Sequence, residues 1–382
     1  MQFSLKPLAF LALVACSTED ISTGSHPLFT SPPVRINRLV ASDPMVGAEF
    51  GDSVASIKDQ LFVGAPNSNG GRGVVYVFTA SAGGWVETQR LTSLNEPSVH
   101  NLGVSVSGYG DVLAVGAPTH PSGGAVLIFR RSQNGWTFNQ RLVPPRPELA
   151  AAYFGYTLEL KDGLLVTSTG LNPSDPRPGI VHVYREKSSQ FAFEQDLIPT
   201  ESASEDQFGA SYAIDGDQLA IGASSAFRAP GRAYVFRKHS TGWREEQRLT
   251  AGSGLDLFGW SIAMSGSRLV VGAPVSTTPA HGALYAYEKR GPAWEVAQVI
   301  AGVSSGLGPY SGSLGRGVAI NGDQLAATNL EAVFTFRAGA GGQWLDDARY
   351  LPAVASPPTG EIAMGTELEF KNDVLAVGNR LD

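Results

Sequence analysis

Among the side chains that could do chemistry, histidine comes first, because its charge changes near neutral pH. His26, His100, His120, His182, His239 and His281 stand one by one, with no pair at metal-ligand spacing. The adjacent carboxylates Glu245-Glu246 and Asp346-Asp347 could serve as acid and base, but their surroundings read as outer strands, where such acids are solvated. No Gly-x-Ser-x-Gly elbow and no Gly-rich phosphate loop occurs. The chain therefore offers no linear catalytic set, although acids gathered from distant segments onto one face would leave no such motif.

The elements that must position these residues come from a repeat. An apolar-Gly pair recurs at Phe50-Gly51, Leu102-Gly103, Phe154-Gly155, Phe208-Gly209, Phe258-Gly259, Leu314-Gly315 and Met364-Gly365, 50 to 56 residues apart. Such a period marks a propeller, solenoid or array. Each copy continues as a short strand (Ser53 to Ile57 in the first), an Asx- or Gly-rich turn (Lys58-Asp59-Gln60) and an apolar second strand (Leu61 to Val63). A variable loop, a third strand (Val74 to Phe78) and a hairpin follow, leading to a fourth strand opened by Trp85, Trp136, Phe191, Trp243, Trp294 or Trp344. Four strands of about 5–7 residues make a propeller blade. The repeated Trp position reads as blade packing, although carbohydrate stacking would use the same side chain.

The repeat resembles the FG-GAP family, best known from the seven-bladed propeller at the head of integrin alpha chains. Phe-Gly stands in four copies, and Gly-Ala-Pro at 64–66, 116–118 and 272–274. The resemblance implies an all-β, seven-bladed β-propeller of four-stranded antiparallel blades over residues 34–382. Gly would let backbones approach closely where blades meet, and Pro would end the second strand. Integrin-like propellers often hold calcium in the first turn. Here Asp215-Gly216-Asp217 and Asn321-Gly322-Asp323 supply two oxygen side chains each, and Lys58, Lys161 and Lys371 oppose a cation. Integrin-type calcium loops are thus not present and the turns read as structural, with no metal or cofactor expected and calcium as the alternative.

In such a propeller the loops after the second and fourth strands share one face. They vary most, and variable loops on a rigid scaffold usually carry recognition. Arg72, His120, Arg177, Arg228 and His281 are the candidate ligand-binding residues there; Arg146 and Arg232 lie on the same face. The opposite face carries basic hairpins (Arg130-Arg131, Arg185, Arg237-Lys238, Lys289-Arg290, Arg337), which could meet anionic headgroups or simply line a solvated rim.

The net charge of -7 argues against nucleic acid as a partner. Leu8 to Ala15 is an apolar core too short to span a bilayer, and Cys16, the sole cysteine, follows it. Leu13-Val14-Ala15-Cys16 resembles the lipobox of bacterial lipoproteins. That implies a signal peptide over 1–15, lipidation of Cys16, a polar tether over 16–33 and an envelope location, with Ser17 suggesting the outer membrane. An ordinary secretory peptide is the plainer alternative. The seventh repeat carries only two strands, and Val34 to Leu39 copies the end of a fourth strand. The N-terminal strand is thus expected to close the ring within the last blade, with Leu28-Phe29-Thr30 a weak candidate for its third strand. Together these readings point to a monomeric, non-catalytic binding or adhesion module recognising an extracellular or envelope protein or glycan. A polysaccharide-acting enzyme with axial carboxylates and a structural scaffold of an envelope complex are the alternatives.

Overall fold

The structure is a computed structural model that describes residues 10–14, 35–93, 99–146, 153–171, 179–201, 207–224, 230–252, 256–275, 281–302, 313–329, 332–339, 342–350, 364–371 and 374–379. Strands β1 (Phe10–Val14) and β2 (Arg35–Leu39) precede the first full repeat. Blade one is β3 (Val54–Ile57), β4 (Gln60–Ala65), β5 (Val74–Ser81) and β6 (Gly84–Leu91). Blade two is β7 (Val106–Tyr109), β8 (Val112–Ala117), β9 (Ala125–Ser132) and β10 (Gly135–Leu142). Blade three runs β11 (Leu158–Lys161), β12 (Leu164–Thr169), β13 (Ile180–Lys187) and β14 (Gln190–Leu197). Blade four runs β15 (Phe208–Asp215), β16 (Gln218–Ala223), β17 (Arg232–His239) and β18 (Gly242–Thr250). Blade five holds β19 (Ser261–Ser265), β20 (Arg268–Ala273), β21 (Ala283–Arg290) and β22 (Ala293–Ala301). Blade six holds β23 (Val318–Asn321), β24 (Gln324–Thr328), β25 (Val333–Ala338) and β26 (Trp344–Tyr350). These are six four-stranded antiparallel blades of one propeller, each pairing in chain order.

The seventh repeat departs from that plan. Its β27 (Met364–Lys371) and β28 (Val374–Asn379) pair antiparallel, but the sheet then runs through β1 to β2, both joined in parallel. The expectation of seven antiparallel blades is thereby reduced to six plus one mixed sheet. The strand beside β28 is the apolar stretch that sequence reading assigned to a signal peptide; Leu28 to Thr30 lie outside the described residues. First strands touch in cyclic order, and β27 touches both β23 and β3.

The repeat motif builds the joints between blades. The second-strand glycine donates nothing but space: a Cβ on Gly64 would lie 2.0 Å from the carbonyl oxygen of Gly103 in the next blade, and on Gly116 1.9 Å from that of Gly155. Gly222, Gly272 and Gly378 face Gly259, Gly315 and Gly51 in the same way. The first-strand hydroxyl then latches that carbonyl. Ser53 Oγ donates to Gly103 O (2.7 Å), Ser105 to Gly155, Thr157 to Gly209, Ser211 to Gly259 and Ser261 to Gly315. The motif phenylalanines 50, 154, 208 and 258 are fully buried, set edge-on against Tyr76, Tyr184, Tyr234 and Tyr285.

A second joint lies at the rim. Gln247 donates to the backbone carbonyl of Trp294 and accepts from its N–H, both at 2.8 Å. Gln89 with Trp136, Gln140 with Phe191, Gln195 with Trp243 and Gln298 with Trp344 repeat the clamp. Trp136, Trp243, Trp294 and Trp344 are buried beside these clamps, so these four tryptophans pack blades and offer no ring to a sugar, while Trp85 is partly buried.

Every fourth strand carries a β-bulge. The extra residue turns a side chain back onto the third strand. Glu194 takes Arg185 (3.2 Å), Glu246 takes Arg237 (2.8 Å), Asp347 takes Arg337 (2.7 Å), and Asn139 accepts from Arg130 (3.3 Å). The second member of each carboxylate pair flagged in the sequence is thus an ion-pair partner. The basic hairpin rim is also largely neutralised, because Arg130 meets Glu186, Arg131 meets Asp59 and Lys238 meets Glu194. A headgroup-binding ring has no support here.

Candidate axial site

The same motif that joins blades also displays a set of variable side chains. The residue before each apolar-Gly pair is left-handed in five blades: Glu49, Asn101, Tyr153, Gln207 and Leu257 have φ between 44° and 58°. Its carbonyl accepts from the N–H of the residue after the pair, as in Tyr153 O to Tyr156 N (3.0 Å) and Leu257 O to Trp260 N (3.0 Å). A non-glycine residue held there costs about 1–3 kcal/mol and persists only because its surroundings impose it. The turn therefore fixes where the following residue stands, whatever its type. That position reads Asp52, Val104, Tyr156, Ala210, Trp260 and Arg316 from blade one to blade six.

All six line one cavity of about 1010 Å³ on the axis. Tyr153, Leu171, Gln207 and Ser224 line it as well. Beyond this mouth comes an apolar girdle of Val54, Val106, Leu158, Tyr212, Ile262, Val318 and Leu368, two residues along each first strand. The cavity reaches Tyr109, Lys161, Ser265 and Asn321 at the far strand ends. Burial drives the Tyr212 phenol well above its ordinary pKa; its oxygen lies 3.3 Å from Thr157 Oγ1 of the neighbouring blade.

The mouth has aromatic and polar parts. Tyr153 and Tyr156 set their rings edge to face at 6.5 Å and are 37% and 44% exposed. The Arg316 guanidinium lies over the Trp260 ring at 6.0 Å. Asp52 is buried. The acids deeper in the cavity have structural duties: Ile214 N–H donates to Glu159 Oε1 (3.2 Å), and Ser56 Oγ donates to Glu369 Oε1 (3.3 Å). Glu159 thus satisfies the edge of the next first strand, as Ser107 does for Leu160 N–H (3.0 Å).

The residues singled out from sequence do not converge. Arg72 is exposed and ends a short turn whose carbonyl pairs with Leu102 N–H (3.1 Å). His120 is buried within its own loop, its Nδ1 accepting from Ser122 N–H (3.2 Å). His281 is exposed, in positive φ, beside the Gly282–Leu314 bridge, so the two histidines occupy different places in their loops. Arg177, Arg228 and Cys16 lie outside the described residues, as do most of the variable loops. His182 is the structural histidine expected: it is fully buried, 2.6 Å from Asp196 and 2.9 Å from Thr169. The axial ring was missed, although its signal was present as the varying position after a fixed Gly, followed in blades one to five by Ser or Thr and in blade six by Gly317.

In the first turns Lys58 reaches Asp111 (3.0 Å) and Lys161 reaches Asp215 (3.1 Å) of the next blade. These ammonium groups occupy the carboxylates that a cation would need. Among the described residues no group of three or more His, Cys, Asp or Glu could hold a metal ion.

Comparison with known proteins places this geometry. The FG-GAP repeat family matches residues 34–78, 191–236 and 243–287, each running from a fourth strand to the next third strand. No curated protein matches the sequence. Among solved structures, a putative 6-phosphogluconolactonase from Bacteroides fragilis superposes with a TM-score of 0.55 at 10% identity. The match covers 78% of this chain and 85% of that one. A protein from Lactobacillus plantarum gives 0.53 at 12% identity, covering 79% and 85%. At such identities the likeness concerns the fold alone.

Proposed function

We propose that this chain, an FG-GAP repeat β-propeller, is a non-catalytic binding module whose ligand docks on the loop face at the axial mouth. One observation carries the reading: a backbone turn repeated blade after blade presents a different side chain each time. Blade packing has no need of that diversity, whereas recognition does. The alternative, hydrolysis of a polysaccharide by axial carboxylates, is weaker because Glu159 and Glu369 are already bonded within the ring.

The test is a screen of the full chain against extracellular proteins and glycans, repeated with Tyr156→Ala, Trp260→Ala and Arg316→Ala. Binding should fall in each variant; equal binding by all three would refute the mouth assignment. Polysaccharide cleavage abolished by Glu159→Gln would favour the enzyme.

The mixed sheet acts in this proposal as a seventh blade closing the ring. Gly378 packs against Gly51 as the other joint glycines pack against their neighbours, and β2 takes the fourth-strand place. Deletion of residues 35–39 should lower the melting temperature; unchanged melting and monomeric behaviour would end the closure idea. The lipobox-like Leu13 to Cys16 supports a rival reading of the same segment: a cut before Cys16 and lipid there would carry the module on the bacterial envelope, but would remove β1 and leave the edge of β28 for β2 to take directly. Acyl labelling that persists in Cys16→Ser would remove it.

A further inference from the structure

We infer that the axial mouth is a saccharide-binding site that takes the end of a neutral oligosaccharide. This rests on the binding reading above and narrows it to one ligand class. Trp260 is the first ground. Five of the six tryptophans stand at the head of a fourth strand, where four of them are buried. Trp260 stands outside that series, at a position where other blades are content with Val, Ala or Asp. The ring is therefore not required by the blade.

The second ground is its company. Blade three adds Tyr156, one of the more exposed aromatics, and blade four places only the methyl of Ala210 between the two. Blade order thus sets an aromatic on either side of a small residue along the lining of one cavity, which we take as the recess for the sugar. Pyranose rings present apolar C–H faces to such walls and hydroxyls at their edges. Asp52, Gln207 and Arg316 supply acceptors and donors around the same mouth.

Charge and size narrow the class. Asp52 and Arg316 balance, and below them Glu159, Glu367 and Glu369 outnumber Lys161. Phosphorylated, sulfated or uronic-acid ligands would enter against that field. A cavity of about 1010 Å³ stands at the upper end of small-molecule sites, which suits several sugar units better than one. An extended peptide would seek unpaired strand edges, yet axial backbone groups at Leu160 and Ile214 are already satisfied by Ser107 and Glu159.

The experiment is a microarray of neutral, uronic-acid and sulfated oligosaccharides probed with the full chain, followed by calorimetric titration with the best-retained neutral glycan. Neutral glycans should be retained over anionic ones. Trp260→Ala and Tyr156→Ala should each weaken binding at least tenfold, and Ala210→Leu, which fills the recess, should abolish it with melting unchanged. Retention of no neutral glycan overturns the inference, as does binding indifferent to all three changes. If a protein partner is bound instead and lost in these variants, the binding function stands and the saccharide assignment falls.

Discussion

Gly51 and Asp52 are neighbours in the chain and belong to two different regions. Gly51 is part of the blade joint, where its backbone packs against Gly378 and the same arrangement recurs around the ring. Asp52 is part of the axial mouth, where each blade shows another side chain. At the joint, backbone atoms come so close that only hydrogen fits. At the mouth the backbone is held and the side chain that lines the cavity changes from blade to blade, from buried Asp52 to exposed Tyr156. One residue of separation thus divides positions the fold dictates from positions it leaves to function.

The comparison is broken most severely at a joint glycine. Gly116→Ala would put a Cβ 1.9 Å from a backbone oxygen that cannot move aside, and we expect a loss above about 3 kcal/mol in denaturant unfolding. Gly216→Ala, in a turn at φ +61° with open space around it, should cost only about 1 kcal/mol. Equal losses would mean the close approach is not what demands glycine.

Removing a latch comes next. Ser105→Ala leaves the Gly155 carbonyl without its hydroxyl donor and should cost about 1–2 kcal/mol. Gln247→Ala deletes both bonds to the Trp294 backbone and should cost about as much, read by the same unfolding curves. A Gln247→Ala protein as stable as the parent would reduce the rim clamp to decoration.

A smaller effect is expected at Glu194. Burial works to raise its pKa, but hydrogen bonds from Lys238 and Arg185 outweigh it and hold the carboxyl below its usual value. A depressed carboxylate pKa contributes stability above the unfolded-state pKa and loses it as pH falls through the folded-state value. Glu194→Gln should therefore cost up to about 1 kcal/mol at neutral pH, and the difference should vanish in acid below the folded-state pKa. A difference that survives in acid would assign the loss to packing. The smallest change in stability belongs to the mouth: Trp260→Ala should shift unfolding by about 0.5 kcal/mol or less while binding is lost. A large shift would make Trp260 a joint residue.

Much of the fold was legible because the chain repeats itself. Phe50-Gly51, Gly64-Ala65-Pro66 and the Trp-led strand recur at regular spacing, so each copy corroborates the others. The bulges were not legible: Glu246 and Asp347 look like solvated acids until a two-against-one register turns them onto Arg237 and Arg337. The ion pairing of the basic rim was hidden for the same reason, since its counter-charges come from neighbouring strands and blades. His120 and His281 seemed equivalent by order in the chain, yet loop geometry buries one and exposes the other.

By itself the sequence determined the repeat, its four strands and the glycines at which blades meet, because these obey local spacing and the steric rule that a missing Cβ admits a second backbone. Only the tertiary structure decided the site. Asp52, Tyr156, Trp260 and Arg316 are some fifty or more residues apart along the chain, and ring geometry brings them around one cavity. It also decided that the apolar strand Phe10–Val14 sits beside the last repeat, because an open sheet edge pairs with whatever extended segment can reach it.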